Sequence, residues 1–118
     1  MNKNQALIVV DVQNDFLETG SLPVPEGSKV IPVINKAMPL FQTVVLTQDW
    51  HPAEHKSFAS NHENKKPYDV MTMPYGQQVL WPAHCVQNSK GAELAETLAV
   101  KGTEFKVRKG TNSEVDSY

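Results

Sequence analysis

Residues 6–10 read ALIVV, and Asp11 ends this aliphatic run. An unbroken apolar run of this length is typical of a strand buried on both faces, as in parallel sheets that helices cover. The stretch therefore favours an α/β fold in which Asp11 lies at the carboxyl end of the first strand.

The next two apolar stretches complete a βαβ unit. Apolar residues recur at helical spacing from Ser28 to Phe41, with Ser28 as the expected N-cap and Pro39 expected to end the helix early. Residues 43–47 read TVVLT, which predicts a second strand. A strand, a helix and a strand in this order predict parallel strands joined by a right-handed crossover.

The second half of the chain adds one helix and one strand. Residues 92–100 have the period of an amphipathic helix that Gly102 would stop, and residues 104–108, EFKVR, predict a third strand. The segment between the second strand and that helix shows no clear period and holds all 4 histidines of the chain. Long irregular segments in compact domains are usually functional or disordered. This one is either a solvated loop or a loop that a metal ion ties down.

Length and composition limit the class of protein. A chain of 118 residues with 40% hydrophobic and 20% charged residues fits one globular domain, residues 1–118. A net charge of -2 without a basic stripe gives no support for a nucleic-acid partner or an anionic membrane. The single cysteine forms no internal disulfide, and the apolar run near the start is too short for a signal peptide or a membrane span. We therefore expect a cytoplasmic protein.

Three charged side chains follow the three predicted strands. Asp11 comes directly after the first strand, Asp49 two residues after the second, and Lys109 directly after the third. Ligands of open parallel sheets bind beyond the carboxyl ends of the strands, where the loops converge. Each residue alone could be an ordinary turn or surface residue, but together they predict a functional edge with two carboxylates and one ammonium group.

A metal site is expected beside this edge. Asp49 and His51 are two residues apart in a segment that Pro52 favours as extended, so both side chains can face one ion. His84, in the sequence WPAHC, is the expected third ligand. A carboxylate and two imidazoles with open positions suit one divalent ion, Zn²⁺, Fe²⁺ or Mn²⁺.

The remaining histidines and the cysteine are weighed separately. His55 is a fourth ligand, an outer residue that orients a ligand, or a surface residue. His62 lies in a polar stretch and is expected to face solvent. Cys85 is expected to be a small buried apolar residue rather than a nucleophile, since a metal-bound His84 cannot serve as its base.

Three apolar residues lie near the predicted site in sequence. They are either plain core residues or the walls of an aromatic-lined pocket for a flat ligand. These residues are Phe16, Leu22 and Trp81.

Five segments together resemble one enzyme family. They are DVQNDF at 11–16, GSL at 20–22, TQDWHP at 47–52, WPAHC at 81–85 and KGT at 109–111. In this order they resemble the nicotinamidase/pyrazinamidase branch of the isochorismatase-like cysteine hydrolases, from about Ala6 to Tyr118. The combination of DWHP with WPxHC is specific, because it separates the metal-containing nicotinamidases from relatives without the metal site.

The resemblance implies both a fold and a reaction. The fold is a three-layer α/β/α sandwich around a mostly parallel, Rossmann-like sheet. The reaction is hydrolysis of nicotinamide, and of pyrazinamide, to nicotinate and ammonia through a cysteine thioester, a step of NAD salvage. The small-molecule partner is therefore nicotinamide, with the pyridine nitrogen held by the metal ion directly or through water. Whether the protein is a homo-oligomer stays open.

The same resemblance implies roles for individual residues. Asp11 corresponds to the general base, and Lys109 to the cation that favours the thiolate. The metal ligands correspond to Asp49, His51 and His84. The residues that hold the ring correspond to Phe16 and Trp81, which sandwich it, and Leu22, which forms a pocket wall.

The chain departs from the family pattern at the nucleophile. The family cysteine lies well downstream of the lysine, whereas Cys85 matches the residue after the metal-binding histidine. We therefore expect residues 1–118 to be the N-terminal part of an isochorismatase-like hydrolase domain, with an incomplete sheet, inactive alone and dependent on a C-terminal segment. The polar stretch 110–118 fits a cut through a loop. A stop codon directly after Tyr118 in the native gene would contradict this hypothesis.

Two other interpretations remain at this point. Two histidines and one carboxylate can form the facial triad of a non-haem iron oxygenase, which leaves Asp11 and Lys109 without a role. A non-catalytic metal-binding module would instead be a stable fold without turnover. Oxygen uptake without ammonia release would favour the oxygenase.

Overall fold

Five strands and one α-helix make up the regular structure of the computed structural model, which describes residues 2–118. In chain order they are β1 (Asn2–Val10), α1 (Val30–Ala37), β2 (Phe41–Asp49), β3 (Val70–Met73), β4 (Gly76–Val79) and β5 (Phe105–Lys109). β1, β2 and β5 form one sheet in the order β1-β2-β5, while β3 and β4 form a separate antiparallel hairpin.

Both pairings in the larger sheet are parallel. β1 pairs with β2 up to Val10↔Thr47, and β2 pairs with β5 up to Asp49↔Lys109. The three predicted strands and their parallel order are thus confirmed. β1 and β2 are longer than the sequence indicated, and β5 is shifted by one residue. Asp49 and Lys109 therefore end their strands rather than follow them.

The helix is shorter than its apolar pattern. A 3-10 turn at Gly27–Lys29 precedes α1, and a second one at Met38–Leu40 follows it, so Pro39 ends the α-helix as predicted. The prediction of Ser28 as N-cap is wrong, because Lys29 occupies the cap position without a side-chain hydrogen bond. Ser28 instead donates its hydroxyl to the carboxylate of Glu18.

The core lies on one face of the sheet. Buried side chains of β1, β2 and α1 pack with apolar residues of the 91–100 segment in a cluster of Val9, Val12, Ile31, Met38, Val44, Leu46, Ala95 and Leu98. On the opposite face Ile8, Val10 and Phe105 are 60%, 63% and 65% exposed. The expectation that β1 is buried on both faces is therefore wrong for the described residues, because α1 and the 91–100 segment cover the same face.

The predicted helix at residues 92–100 is wrong. The segment forms turns and one bridge between Gln13 and Leu94, while Ala92, Ala95 and Leu98 are still buried. Its backbone pairs with the loop after β1: the Ala95 N–H donates to the Val12 carbonyl at 2.9 Å. These tertiary hydrogen bonds replace those of a helix, so an apolar period alone was misleading.

The long histidine-containing segment is built into the fold. It carries the β3–β4 hairpin and two bridges, His51↔Val86 and Phe58↔Trp81. The interpretation as a solvated loop is therefore wrong. No helix formed by residues 2–118 has the length and apolar character needed to cross a membrane.

Candidate active site

Three charged side chains meet at the carboxyl edge of the parallel sheet. Asp49 and Lys109 are register partners, and the Lys109 Nζ lies 2.5 Å from Asp49 Oδ1 and 3.0 Å from Asp11 Oδ2. Thr47 donates its hydroxyl to Asp11 Oδ1 at 2.7 Å. The predicted functional edge is thus assembled, with one ammonium group between two carboxylates.

The electrostatics of this edge favour charged side chains. Burial lowers the pKa of Lys109, but hydrogen bonds to Asp49 and Asp11 outweigh it, so the pKa lies above the usual value. Burial raises the pKa of Asp49, yet the neighbouring His51 imidazole and the hydrogen bond from Lys109 bring it below the usual value. Lys109 is therefore an ammonium and Asp49 a carboxylate at neutral pH.

Asp49, His51 and His84 form a compact buried cluster. One potential ligand atom from each residue lies within 4.8 Å of the others, and the side chains are nearly inaccessible to solvent. His51 uses Nδ1 to donate to the carbonyl of Gly110 at 2.8 Å, and His84 uses Nδ1 to donate to the carbonyl of Pro82 at 2.8 Å. Each ring therefore has its Nε2 left for a cation.

The donor atoms of this cluster suit a divalent metal ion. The His51 Nε2 is buried without a hydrogen-bond partner among the described residues and lies 3.5 Å from Asp49 Oδ2. Burial lowers the pKa of His51, but the nearby Asp49 carboxylate raises it, and the resulting pKa lies above the usual value. A metal cation at Nε2 can take the place of the proton that this carboxylate favours. Burial lowers the pKa of His84, which keeps its imidazole neutral. One carboxylate and two imidazole nitrogens fit Zn²⁺, Fe²⁺ or Mn²⁺.

The other two histidines do not join the cluster. His55 is fully buried, accepts the Ser57 N–H at Nδ1 and donates from Nε2 to the carbonyl of Val115, so both nitrogens are occupied. Its ring lies 4.5 Å from that of His51, which makes it a packing neighbour of the cluster rather than a surface residue or a ligand. His62 is partly exposed and bonds at the surface to the Lys56 carbonyl, so it lies outside the cluster.

The apolar residues beside the site line a cavity. Phe16, Leu22 and Trp81 border about 330 Å³ of space at the end of the sheet. The same cavity is lined by the polar side chains Asp11, Asp49, His84, Lys109 and Asp116. An aromatic-walled pocket next to three carboxylates and an ammonium group suits a small flat ligand, as expected if these apolar residues are pocket walls rather than plain core.

Cys85 lies behind this site. The side chain is fully buried, and burial together with nearby carboxylates raises the pKa of the thiol far above its usual range. The backbone at Cys85 is left-handed, with φ 48, and its N–H donates to Asp15 Oδ2 at 2.8 Å. A neutral, inaccessible thiol is no nucleophile, so the geometry favours the expected structural role.

A family model described as an Isochorismatase domain matches residues 5–117. The chain belongs to the isochorismatase family. A nicotinamidase of Acinetobacter baylyi is 51% identical over 115 residues, which are 98% of this chain and 54% of that protein. The chain thus spans about half the length of the curated relatives that it matches.

Solved structures give the same assignment. A nicotinamidase/pyrazinamidase structure from Acinetobacter baumanii superposes with a TM-score of 0.92 at 46% identity, over 98% of this chain and 55% of that chain. A Pyrococcus horikoshii pyrazinamidase in complex with zinc gives a TM-score of 0.75 at 35% identity, over 99% of this chain and 56% of that one. The predicted isochorismatase-like α/β fold is confirmed.

Two residues that support the side chains of the site, Gly110 and Asp116, were not predicted from the sequence. Gly110 has φ +68, and a Cβ there would lie 2.5 Å from the His51 ring. Asp116 Oδ2 accepts the indole N–H of Trp81 at 3.2 Å and the amide of Gln78 at 2.9 Å. A glycine directly after a strand was the available signal for Gly110, whereas nothing in a polar tail marks Asp116.

Proposed function

We propose that this chain supplies the metal site, the base and the cation of a nicotinamidase. The protein would hydrolyse nicotinamide, and also pyrazinamide, with one water to nicotinate and ammonia through a cysteine thioester. The observation that carries this proposal is the position of Lys109 between Asp11 and Asp49, with Asp49 also part of the buried histidine cluster. The nicotinamidase relative at 51% identity supports the same activity.

The two charged partners at the edge would handle protons. The Asp11 carboxylate accepts the Thr47 hydroxyl at one oxygen and faces Lys109 with the other. It would take the thiol proton of the nucleophile and later a proton of the attacking water. The Lys109 ammonium would stabilise the thiolate, which is the reactive form of a cysteine.

The cavity would hold the pyridine ring. Phe16 and Trp81 would sandwich the ring, and Leu22 would form a wall of the pocket. Asp49, His51 and His84 would hold one divalent ion, which supplies a Lewis acid for the pyridine nitrogen. We propose Zn²⁺ before Fe²⁺ and Mn²⁺, because the Pyrococcus horikoshii relative is in complex with zinc.

The nucleophile has to come from outside these residues, because the buried Cys85 is the single cysteine among them. We therefore propose that residues 1–118 act as the N-terminal part of an isochorismatase-like domain, inactive without a further segment that brings the reactive thiol. We also propose a cytoplasmic location, because Cys85 is a free thiol. We also propose that the whole protein could assemble as a homo-oligomer, which a measurement of its molar mass in solution tests.

The two competing interpretations have less support. An iron oxygenase gives no role to Asp11 and Lys109. The Lys109 Nζ nevertheless lies 3.0 Å from Asp11 Oδ2 and 2.5 Å from Asp49 Oδ1. The oxygenase is therefore not supported. A non-catalytic metal-binding module likewise leaves the aromatic cavity beside the cluster without a ligand.

The decisive experiment compares three amides. The whole protein, loaded with Zn²⁺, is incubated with nicotinamide, pyrazinamide or benzamide, and ammonia and the carboxylate product are measured. We expect turnover of nicotinamide and pyrazinamide and little of benzamide, which lacks the ring nitrogen. The proposal would be overturned if the metal-loaded protein released no ammonia, or if it consumed oxygen instead. The 118-residue chain alone serves as the comparison that is expected to be inactive.

A further inference from the structure

We propose that Gln13 is a positioning residue for the metal centre, an inference that rests on the proposed metal-binding function of Asp49. The Gln13 side chain is fully buried. Its Oε1 accepts the backbone N–H of Asp49 at 2.9 Å, and its Nε2 donates to the backbone carbonyl of Asp49 at 2.8 Å. One side-chain amide thus pairs both main-chain groups of a single residue.

The place of this amide in the sheet explains its importance. Pairing between β1 and β2 stops at Val10↔Thr47, because the chain turns away at Asp11, where φ is 52. Asp49, two residues further along β2, therefore has no β1 partner on that side. The Gln13 side chain supplies the two hydrogen bonds that a β1 residue would otherwise make to Asp49. These bonds hold the backbone from which the Asp49 carboxylate extends.

Gln13 is itself held in place from a third direction. Its Nε2 also donates to the carbonyl of Ala92 at 2.9 Å, and Gln13 forms a backbone bridge to Leu94. Each polar atom of the amide is thereby used, which leaves the side chain one orientation. Metal ligands must be held within about 0.5 Å of their working position, and backbone anchoring of Asp49 is the means seen here.

A matched control lies next to Asp49. Gln48 is also buried, and its Nε2 donates to the same Ala92 carbonyl at 2.8 Å, while its Oε1 accepts from Arg108. Gln48 makes no bond to the main chain of Asp49 through its amide. Gln13→Met and Gln48→Met therefore remove equally buried amides of equal size, and only the first releases the backbone of Asp49.

The test measures zinc affinity in the whole protein. The wild type and both variants are stripped with a chelator, and Zn²⁺ is titrated calorimetrically alongside thermal unfolding. We expect Gln13→Met to weaken Zn²⁺ binding by roughly 10- to 100-fold, the usual effect of losing a group that orients a ligand. Gln48→Met is expected to lower the melting temperature similarly and to leave zinc affinity near that of the wild type.

Each outcome decides between the two proposals. Wild-type protein that binds no Zn²⁺, Fe²⁺ or Mn²⁺ would overturn the metal site itself. Normal zinc affinity in Gln13→Met, or an equal loss in both variants, would overturn only the role of Gln13. If Gln13→Met does not fold, Gln13→Glu takes its place, because a carboxylate keeps the acceptor for the Asp49 N–H but repels the Asp49 and Ala92 carbonyls.

Discussion

Asp49 and Lys109 are partners at the last pair of the parallel ladder between β2 and β5, and their side chains meet with the Lys109 Nζ 2.5 Å from Asp49 Oδ1. The second oxygen of the same carboxylate faces His51. Asp49 therefore connects the charged edge of the sheet to the histidine cluster.

Removing the carboxylate of Asp11, the proposed base, should separate catalysis from metal binding. In the whole protein, Asp11→Asn keeps an acceptor for Thr47 and the size of the side chain, but it cannot accept a proton. We expect unchanged metal content and a fall in kcat of about 10²–10⁴-fold, measured as ammonia release. Asp69→Asn, at a surface ion pair with Lys66, is the control that should keep full activity. Activity retained by Asp11→Asn would remove Asp11 from catalysis.

Removing His84 should empty the proposed metal site. His84→Ala deletes a buried Nε2 of the cluster, so the loss of affinity should exceed the roughly 10- to 100-fold typical of outer hydrogen-bond partners. Elemental analysis after dialysis measures it. His62→Ala deletes a half-buried imidazole that bonds to the Lys56 carbonyl and should leave the metal content unchanged. Full metal occupancy in His84→Ala would show that the third ligand is another residue.

The sequence was sufficient for the strands and for the edge of the sheet. Continuous aliphatic runs are typical of the strands of parallel sheets. The carboxyl ends of parallel strands lie at one edge of the sheet, so spacing alone placed Asp11, Asp49 and Lys109 together. The spacing of Asp49 and His51 in extended chain brought their side chains to one side for the same geometric reason.

The failures share a different physical origin. Residues 92–100 have a helical period, yet their backbone bonds to the loop after β1, and no local pattern reports such a partner. The same holds for Gln13 and Asp116, whose roles depend on hydrogen bonds across 36 and 35 residues of sequence. Local patterns located the three strands of the parallel sheet, whereas these contacts appear only once the chain is folded.

A methyl group at Gly110 should displace His51, one of the proposed metal ligands. Its φ is +68, and a Cβ would lie 2.5 Å from Cε1 and 2.7 Å from Nδ1 of His51. Gly110→Ala should therefore lose zinc affinity as well as stability. Gly102→Ala is the matched control, since φ is +85 and nothing lies within 4 Å of the added Cβ. Both variants carry a backbone cost of about 1–2 kcal/mol, so equal zinc affinity in the two would contradict the steric argument.

Replacement of the thiol should be tolerated. Cys85→Ser places a hydroxyl in a fully buried position, which costs about 1–3 kcal/mol if the hydroxyl finds no partner. Turnover per folded molecule should stay near that of the wild type, because the thiol is neutral and inaccessible. Thermal unfolding and ammonia release measure the two effects. Complete loss of turnover in a folded variant would make Cys85 the nucleophile after all.

The carboxylate of Asp116 should act on substrate binding through the indole of Trp81. It accepts the Trp81 N–H at 3.2 Å and is held by the Gln78 amide, so Asp116→Ala frees the indole that lines the cavity. We expect KM for nicotinamide to rise roughly tenfold with a smaller change in kcat, since a hydrogen bond to a charged group is worth about 1.5–3 kcal/mol before solvent exposure reduces it. Glu114→Ala, which removes a surface ion pair with Lys56 from the same tail, should leave both constants unchanged. Loss of zinc from Asp116→Ala with KM unaltered would show that this carboxylate acts on the metal centre instead of on the indole.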